Sequence, residues 1–497
     1  MPLVDNQMNP VMGIDLGTTF CAIASWDGRG PRIFPGFEGN YTTQSAVFYD
    51  EKENRYLVGK RAYLRYLVEP ENGIIGVKRL MDDKNHVIHL GTKVHNPVEI
   101  SSKILSKLYE DVLNKFPQNT FESRGTIVTV PYYFKAHQCA NTREAAEMAQ
   151  INFLGLIQEP IAAALAYSLD IVRGDENNDR EETVLVFDLG GGTFDLTLFK
   201  LLQTRQKLVF EVLGTGGDDR LGGLDFDCDL KQFILTKVDT SALDEKARKI
   251  AIQKIIDSAN TAKEALSFGP TYNLVVPYLI GDQHLDIDIT REEFESCIKK
   301  YIQKVRNIIE DTFARAGVKK KDVTRVIKVG GSSKIPIFSK ILQDGIGADR
   351  VYGNIDASLC VAQGAAIYAA YLDDKKVLGR EIDIITRSAH ALGLETADGG
   401  FFPLIPANRK LPYEYTQIFA TDQDNMTQLE VAVYQGSSKI AHENSLIGKV
   451  YAQGLEPKPK GVLNIRITFK VNEEQRVTVL VEEPVSRIRV QQALSYA

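Results

Sequence analysis

The sequence predicts a two-lobed α/β unit followed by a smaller all-β sheet domain, and three observations carry that prediction. Short β-branched strands alternate with helical stretches over residues 10–375. A strand running into an Asp-Leu-Gly turn occurs twice, at Asp15 and again at Asp188. Beyond Gly393 the helical period disappears, and short strands punctuated by turn residues take over.

The elements follow in order. Residues 11–14 form the first strand and lead directly into the DLGTT turn at 15–19. Residues 126–130 (TIVTV) and 183–187 (TVLVF) are almost continuously apolar, the pattern of strands buried on both faces. Between them, 143–149 and 160–169 have helical composition. The second opens on Pro160, whose missing N–H is no loss at a first helical position. Residues 325–329 form another strand ending in Gly330 and Gly331, and 356–371 read as an Ala-rich helix. A charged stretch at 373–381 and the apolar Ile382, Ile384 and Ile385 mark a linker at 376–391. Strands at 429–433, 462–469 and 476–481 then suggest a β-sandwich over 392–485, with a tail at 486–497.

Composition narrows the function. With 59 basic and 65 acidic side chains the net charge is −6, which gives no general attraction for nucleic acid or anionic membranes. A 44% hydrophobic and 25% charged chain of 497 residues is ordinary for folded soluble protein. The five cysteines are scattered, odd in number and never spaced CxxC, which disfavours a disulfide framework or zinc finger and fits a reducing cytoplasm. The first residues lack a secretory pattern, and no run approaches the ~20 apolar residues of a membrane helix.

The chemistry sits at the repeated turns. Gly17 permits a tight turn that exposes backbone N–H groups, and Thr18 and Thr19 add hydroxyls; Gly190, Gly191, Gly192 and Thr193 repeat the device. Two such loops facing each other would grip a polyphosphate from both sides. Neither is a GxxxxGK[ST] loop or a GxGxxG fingerprint. Asp15 and Asp188 would flank the terminal phosphates, supplying the one or two carboxylates that magnesium takes while keeping its waters. The VGGSSKIP stretch at 329–336 is a third glycine turn, suited to approach the nucleoside. His86, His89 and His95 match no metal-ligand spacing, and His137 with Cys139 is most simply a surface pair.

These motifs resemble those of the seventy-kilodalton heat-shock chaperones, the DnaK-type family, along nearly the whole chain. The carriers are GIDLGTT (13–19), VKRL (77–80), TVPYYF (129–134), EPIAAALAYSLD (159–170) and VFDLGGGTFDLTL (186–198). GGDDRLGGLDFD (216–227), VGGSSKIP, LGLET (392–396) and LIGKV (446–450) continue the series. The resemblance implies an actin-like two-lobed ATPase domain, a linker and a β-sandwich that binds extended, unfolded polypeptide. It implies ATP or ADP with Mg²⁺, a monovalent ion such as K⁺ at Asp195, and J-domain and nucleotide-exchange partners.

Carried over by position, Lys78 resembles the catalytic lysine and Glu159 the glutamate near the attacking water, with Asp188 and Thr193 completing the catalytic set. Asp15, Asp188 and Asp195 resemble the metal-site carboxylates. Gly17, Thr18, Thr19, the Gly190–Gly192 turn and Gly217 resemble phosphate contacts, while Lys263, Ser267, Gly330, Gly331, Ser332 and Lys334 fall on adenosine positions. Leu394, Ala397, Phe401, Leu429 and Val431 fall around the peptide groove.

Departures from the family pattern include Asn260 for glutamate, Lys334 for arginine and Ser358 for aspartate near the nucleoside, which predict altered nucleotide affinity or exchange. Cys139 replaces an arginine of the interdomain relay. Gly155 and Thr386 replace a basic and an acidic residue tied to J-domain coupling, and Asp422 replaces an apolar arch residue. The chain stops at Ala497 without the family's long helical lid. Two readings follow: an ATP-hydrolysing chaperone, or a specialised binding or assembly factor with weak or uncoupled ATPase. A sugar kinase or filament-forming actin relative shares the cleft, but VKRL, LGGLDFD and the β-rich end argue against it.

Overall fold

Two sheets of matching topology face a shared pair of helices in the computed structural model, which describes residues 10–36, 39–115, 123–172, 179–239, 243–352, 356–396, 398–472 and 476–494. In the first sheet, strands Val11–Asp15, Phe20–Trp26 and Pro31–Phe34 form an antiparallel meander. Gly125–Val130 lies parallel beside the first of them, with Phe153–Gln158 parallel beyond it. The second sheet repeats this with Arg180–Leu189, Phe194–Gln203 and Lys207–Asp218 as meander, and Arg325–Val329 and Val351–Tyr352 as parallel neighbours. The repeated DLG turn is therefore the visible end of a repeated sheet.

The helices Glu159–Val172 and Cys360–Asp373 hold the two sheets together because both are built from small residues. Ala162, Ala163, Ala164, Ala365, Ala369 and Ala370 are buried in one cluster with Val11 and Ile127 of the first sheet and Val184 and Phe210 of the second. Where the helices cross, a Cβ added to Gly364 would lie 1.7 Å from the Ala162 carbonyl oxygen. A Cβ on Gly13 would lie 2.1 Å from the Ala366 nitrogen. Only glycine allows approaches this close.

Outer elements complete the lobes. Helix Pro97–Leu113 starts at an Asn96–Glu99 capping box and buries Ile100, Ile104, Leu105, Leu108 and Val112 against the first sheet. Helix Glu245–Phe268 is N-capped by Asp244 and packs on the hairpin Thr271–Ile280 and Gln283–Thr290. The strand at 325–329 and the glycine turn after it stand where the pattern put them. The helix expected at 356–371 begins only at Cys360, because the Asp356 side chain accepts from the Ser358 N–H at 2.8 Å and makes a turn first.

The β-rich region forms two four-stranded sheets. One runs Phe401–Ile405, Ala391–Glu395, Gln428–Gly436, Ser445–Gln453; the other runs Tyr413–Ala420, Asn464–Val471, Val477–Glu483, Ile488–Ala493. Leu392, Ile405, Val433, Val450, Ile467, Phe469 and Val479 fill the space between their inner faces.

Two expectations about boundaries need correction. The stretch 376–391 is not a plain tether, since Glu381–Ile385 adds to the second sheet as a parallel sixth strand beside Lys207–Asp218. The alternating apolar pattern of Ile382 and Ile384 is what an edge position rewards. Residues 488–493, expected as tail, pair with Val477–Glu483 as the sandwich's fourth strand. Among the described residues no helix is long and apolar enough to cross a membrane, and the five cysteines are free thiols.

Candidate functional site: a cleft between two glycine turns

Both parallel-strand sheets deliver their DLG turns to one cleft of about 370 Å³, lined by Asp15, Gly17, Thr18, Thr19, Lys78, Glu159, Asp188, Gly190, Gly191 and Thr193, among others. The first strand ends at Asp15 and the strand Arg180–Leu189 carries Asp188, so each aspartate sits where its strand opens into a turn. The turns interlock. A Cβ on Gly191 would fall 1.8 Å from Thr19 Oγ1, and one on Gly192 would fall 2.4 Å from Thr18 Oγ1. Glycine is required at both positions for the two halves to come this close.

The turns point their acceptors into the protein. The Gly17 carbonyl accepts from the Ser45 hydroxyl at 2.7 Å, and the Thr19 carbonyl accepts from the Ser45 N–H at 2.8 Å. The Gly190 and Gly191 carbonyls accept from the N–H groups of Gly223 and Leu224 at 3.0 and 2.8 Å. Carbonyl oxygens that would repel an anion are thus occupied elsewhere. Arg79 adds a bridge between halves: Nε and Nη2 donate to the Gly192 carbonyl at 3.0 and 2.7 Å, and its guanidinium also binds both Asp225 oxygens. Sequence reading passed over Arg79, although it lies beside Lys78 in the VKRL motif.

The charged centre is buried. Lys78 and Glu159 are 5% and 6% exposed, and Lys78 Nζ donates to Glu159 Oε1 at 2.5 Å. Burial opposes the Lys78 charge, but the Glu159 and Asp15 carboxylates more than offset it and hold the ammonium above its ordinary pKa. Burial, with Glu159 beside it, pushes Asp15 up to about 7. Burial and the neighbouring carboxylates raise Asp188 well above the usual range. Asp195, facing Asp188 across the antiparallel pair, is pushed up to about 7 chiefly by burial and Glu159.

These carboxylates fit a hydrated magnesium. The donor set is all oxygen, and Asp195 Oδ2 and Thr19 Oγ1 are buried without a hydrogen-bond partner. Among the described residues no three or more ligating side chains form a ready cage. Asp195 Oδ1 accepts from the Tyr133 N–H at 3.1 Å, so this carboxylate lies behind the cleft wall.

Lys263, Ser267, Gly330, Gly331, Ser332 and Lys334 all line the same cleft. Asn260 and Ser358 line it as well. Phe20, Thr42, Glu264 and Phe268 join them without having been singled out in the sequence. Gly330 has φ of 80°, and a Cβ there would meet the Leu189 carbonyl at 2.4 Å. Gly217 is not among the lining residues. It pairs with Asp195 across the hairpin, where a Cβ would meet the Phe194 carbonyl at 2.5 Å, so packing accounts for that glycine. A larger depression of about 990 Å³ adjoins the cleft through Phe20, Thr42 and Ser358 but contains neither the second glycine turn nor the Lys78–Glu159 pair.

The sandwich residues divide differently. Leu394 and Val431 are 6% and 4% exposed inside the sandwich core, with Leu429 packed against it. Phe401 is half-buried, and Ala397 lies outside the described residues. The sandwich rests on the cleft-bearing part. The Tyr132 hydroxyl donates to the Arg387 carbonyl at 2.8 Å and accepts from the Arg387 N–H at 3.1 Å. Arg387 in turn donates to the carbonyls of Val212 and Asn408. His390 Nε2 meets the Tyr133 carbonyl at 2.9 Å. Tyr133 thus touches Asp195 through its N–H and the sandwich through its C=O.

The profile of the family described as Hsp70 protein matches residues 11–493, nearly the entire chain. With the doubled glycine turns and the β-rich region already in place, the chain belongs to the Hsp70 family of chaperone-type ATP-binding proteins.

Proposed function

We propose that this protein binds and hydrolyses ATP between two actin-like lobes and holds extended polypeptide in its β-sandwich. The observation that carries the reading is the convergence of two interlocked glycine turns, Lys78, Glu159, Asp15 and Asp188 on one cleft, with Asp195 buried behind its wall. On this reading residues 10–375 are the ATPase domain and 392–493 the polypeptide-binding domain. Family membership supports both parts.

Phosphoryl transfer asks for positioning and charge neutralisation more than for covalent chemistry. The two turns grip the phosphates from opposite sides, with Thr18, Thr19 and Thr193 supplying hydroxyl donors. Asp15 and Asp188 would hold magnesium, with Asp195 behind the wall as the further metal-site carboxylate, and the ion would neutralise phosphate charge when bound. Lys78 brings a fixed positive charge to the developing negative one in a site of low polarity. Its bond to Glu159 orients the glutamate, whose carboxylate accepts the proton of the attacking water.

Tyr132, Arg387 and His390 favour keeping the second reading beside the first. They fasten the sandwich down through hydrogen bonds to main-chain groups. In that reading polypeptide binding is indifferent to nucleotide. Fluorescence anisotropy of a labelled unfolded polypeptide, titrated with ATP, separates the two. Release by ATP supports the coupled chaperone, and unchanged affinity supports the uncoupled factor. Calorimetry with ATP and magnesium that registers no binding heat overturns both.

A further inference from the structure

We propose that the edge strand Tyr413–Ala420 is a self-association surface, on which a second copy of this chain adds the same strand antiparallel about a twofold axis at Gln417.

A sheet ends where its last strand has a neighbour on one side only, and the main-chain groups on the other side invite a further strand. Three of the sandwich's described edges are blunted. Phe401–Ile405 carries Pro403 in its middle and a register shift against its neighbour. Ser445–Gln453 carries Lys449 and also pairs through a register shift. Ile488–Ala493 carries Arg489. Tyr413–Ala420 has none of these devices. It pairs with Asn464–Val471 without a shift and includes no proline, lysine or arginine. Its one charge, Glu414, is met across the ladder by Lys470 at 3.0 Å.

The bound side of this strand fixes what its free side presents. The Thr421 N–H donates to the Leu463 carbonyl, one step beyond the Ala420–Asn464 pair, so odd-numbered residues turn their main-chain groups toward Asn464–Val471. The even-numbered pair Thr416 and Thr468 agrees: its hydroxyls meet at 2.8 Å, as in the closer, non-hydrogen-bonded kind of pair. Glu414, Thr416, Ile418 and Ala420 therefore point N–H and C=O away from the sheet, and all four are exposed. The Ile418 carbonyl takes the Gln417 side-chain amide at 3.3 Å, a weak local substitute for a neighbouring strand.

The strand is its own complement. Turned antiparallel about Gln417, Thr416 exchanges main-chain bonds with Ile418 of the second copy and Glu414 does so with Ala420, which uses all four free positions. Tyr415 then lies across from Phe419 as an aromatic cross-strand pair, and no like charges within the strand face each other. Charge at the two ends agrees with this orientation. Lys410 precedes the strand, Asp422 and Asp424 follow it, and all three are exposed. Lys410 lies 4.0 Å from Glu211, and Asp424 Oδ1 accepts from the Lys460 N–H at 2.7 Å. The antiparallel arrangement brings the basic end of each copy to the acidic end of the other, whereas a parallel one would set like end against like end. Two four-stranded sheets thereby join into one continuous sheet.

Sedimentation velocity of the full chain over a micromolar concentration series reads the monomer–dimer equilibrium. A dimer is expected, with amide exchange at Glu414, Thr416, Ile418 and Ala420 slowing as it forms. Ile418→Pro removes an outward N–H from each copy at a position where an edge strand tolerates proline, and should raise the dimer dissociation constant about tenfold or more. Gln417→Lys and Gln417→Glu each set like charges face to face on the axis, so each should weaken the dimer severalfold, and mixing the two variants should restore it. The mixture also controls for folding, since a misfolded variant is not rescued by its partner. A chain that stays monomeric throughout the series overturns the proposal. A dimer indifferent to Ile418→Pro overturns it too, as does a mixture no better associated than either Gln417 variant alone. Protection of the four amides by added unfolded polypeptide in a monomeric chain assigns the edge to polypeptide and overturns self-association.

Discussion

The cleft and the sandwich handle polar and apolar groups in opposite ways. In the cleft, Lys78, Glu159, Asp188 and Asp195 are buried where a hydrophobic core would be more stable, and Thr19 Oγ1 and Asp195 Oδ2 are left without partners. In the sandwich, the residues assigned to a groove are apolar, and two of them, Leu394 and Val431, belong to the core that holds the sheets together. The difference teaches that a site made of costly burials announces itself, whereas one made of apolar side chains is masked by the fold's own needs.

The sharpest way to break the comparison is to remove the charge at the centre of the cleft. Lys78→Met should lower single-turnover ATP hydrolysis by about 10²–10³-fold, the scale of losing one preorganised electrostatic group. It should also destabilise the protein, because Glu159 would be left buried and unpaired. The double variant Lys78→Met/Glu159→Gln should recover stability without recovering turnover. Turnover close to natural in either variant would remove Lys78 from the chemistry.

Core residues of the sandwich should behave differently. Leu394→Ala should cost about 2–5 kcal/mol of sandwich stability, as for other buried leucines, measured by denaturant unfolding. Phe401→Ala, at a half-buried position, should cost less and act more on polypeptide affinity. If Phe401→Ala costs stability but leaves affinity intact, the groove assignment fails at that residue.

The cleft acids should give a pH signature of definite sign. Asp15 and Asp195 have folded pKa values near 7 against an ordinary 3.8. Between those values the folded state holds more protons than the unfolded one. Stability of the nucleotide-free protein should therefore fall as pH rises from about 4 to 7. Asp195→Asn should raise the melting temperature at pH 7.5 and flatten this dependence, and magnesium with ATP should offset the destabilisation in the natural protein. A nucleotide-free melting temperature that rises through this interval would contradict the assignment.

The smallest expected effect lies at the junction. Tyr132→Phe removes both hydrogen bonds between its hydroxyl and the Arg387 main chain. Each is worth about 0.5–1.5 kcal/mol, so amide exchange over residues 381–390 should quicken modestly. Exchange identical to that of the natural protein would show that other contacts hold the sandwich in place.

How much was legible in the sequence follows the same division. The doubled turn at Asp15 and Asp188 was readable because glycine and hydroxyl residues after a strand have few other uses, and the lobes it implied appear as two sheets of one topology. Lys78 and Glu159 carried no such local signal, and only the motifs around them pointed to the cleft. Arg79 and Phe268 were missed because an arginine and a phenylalanine at helical spacing read as ordinary surface and core. The strand Glu381–Ile385 reads as a linker in the sequence because its charged neighbours conceal a short apolar alternation, and its partner strand is remote in sequence. Gly217 lies outside the cleft lining, and its close packing against the Phe194 carbonyl is a need of the hairpin that the motif alone does not reveal.

The contact of Gly364 with the Ala162 carbonyl joins the two sheets' helices through bare backbone. Such a joint has no clearance. A single added methyl group there acts as a wedge, and the smallest residue type thereby sets how closely the two halves of the cleft are held.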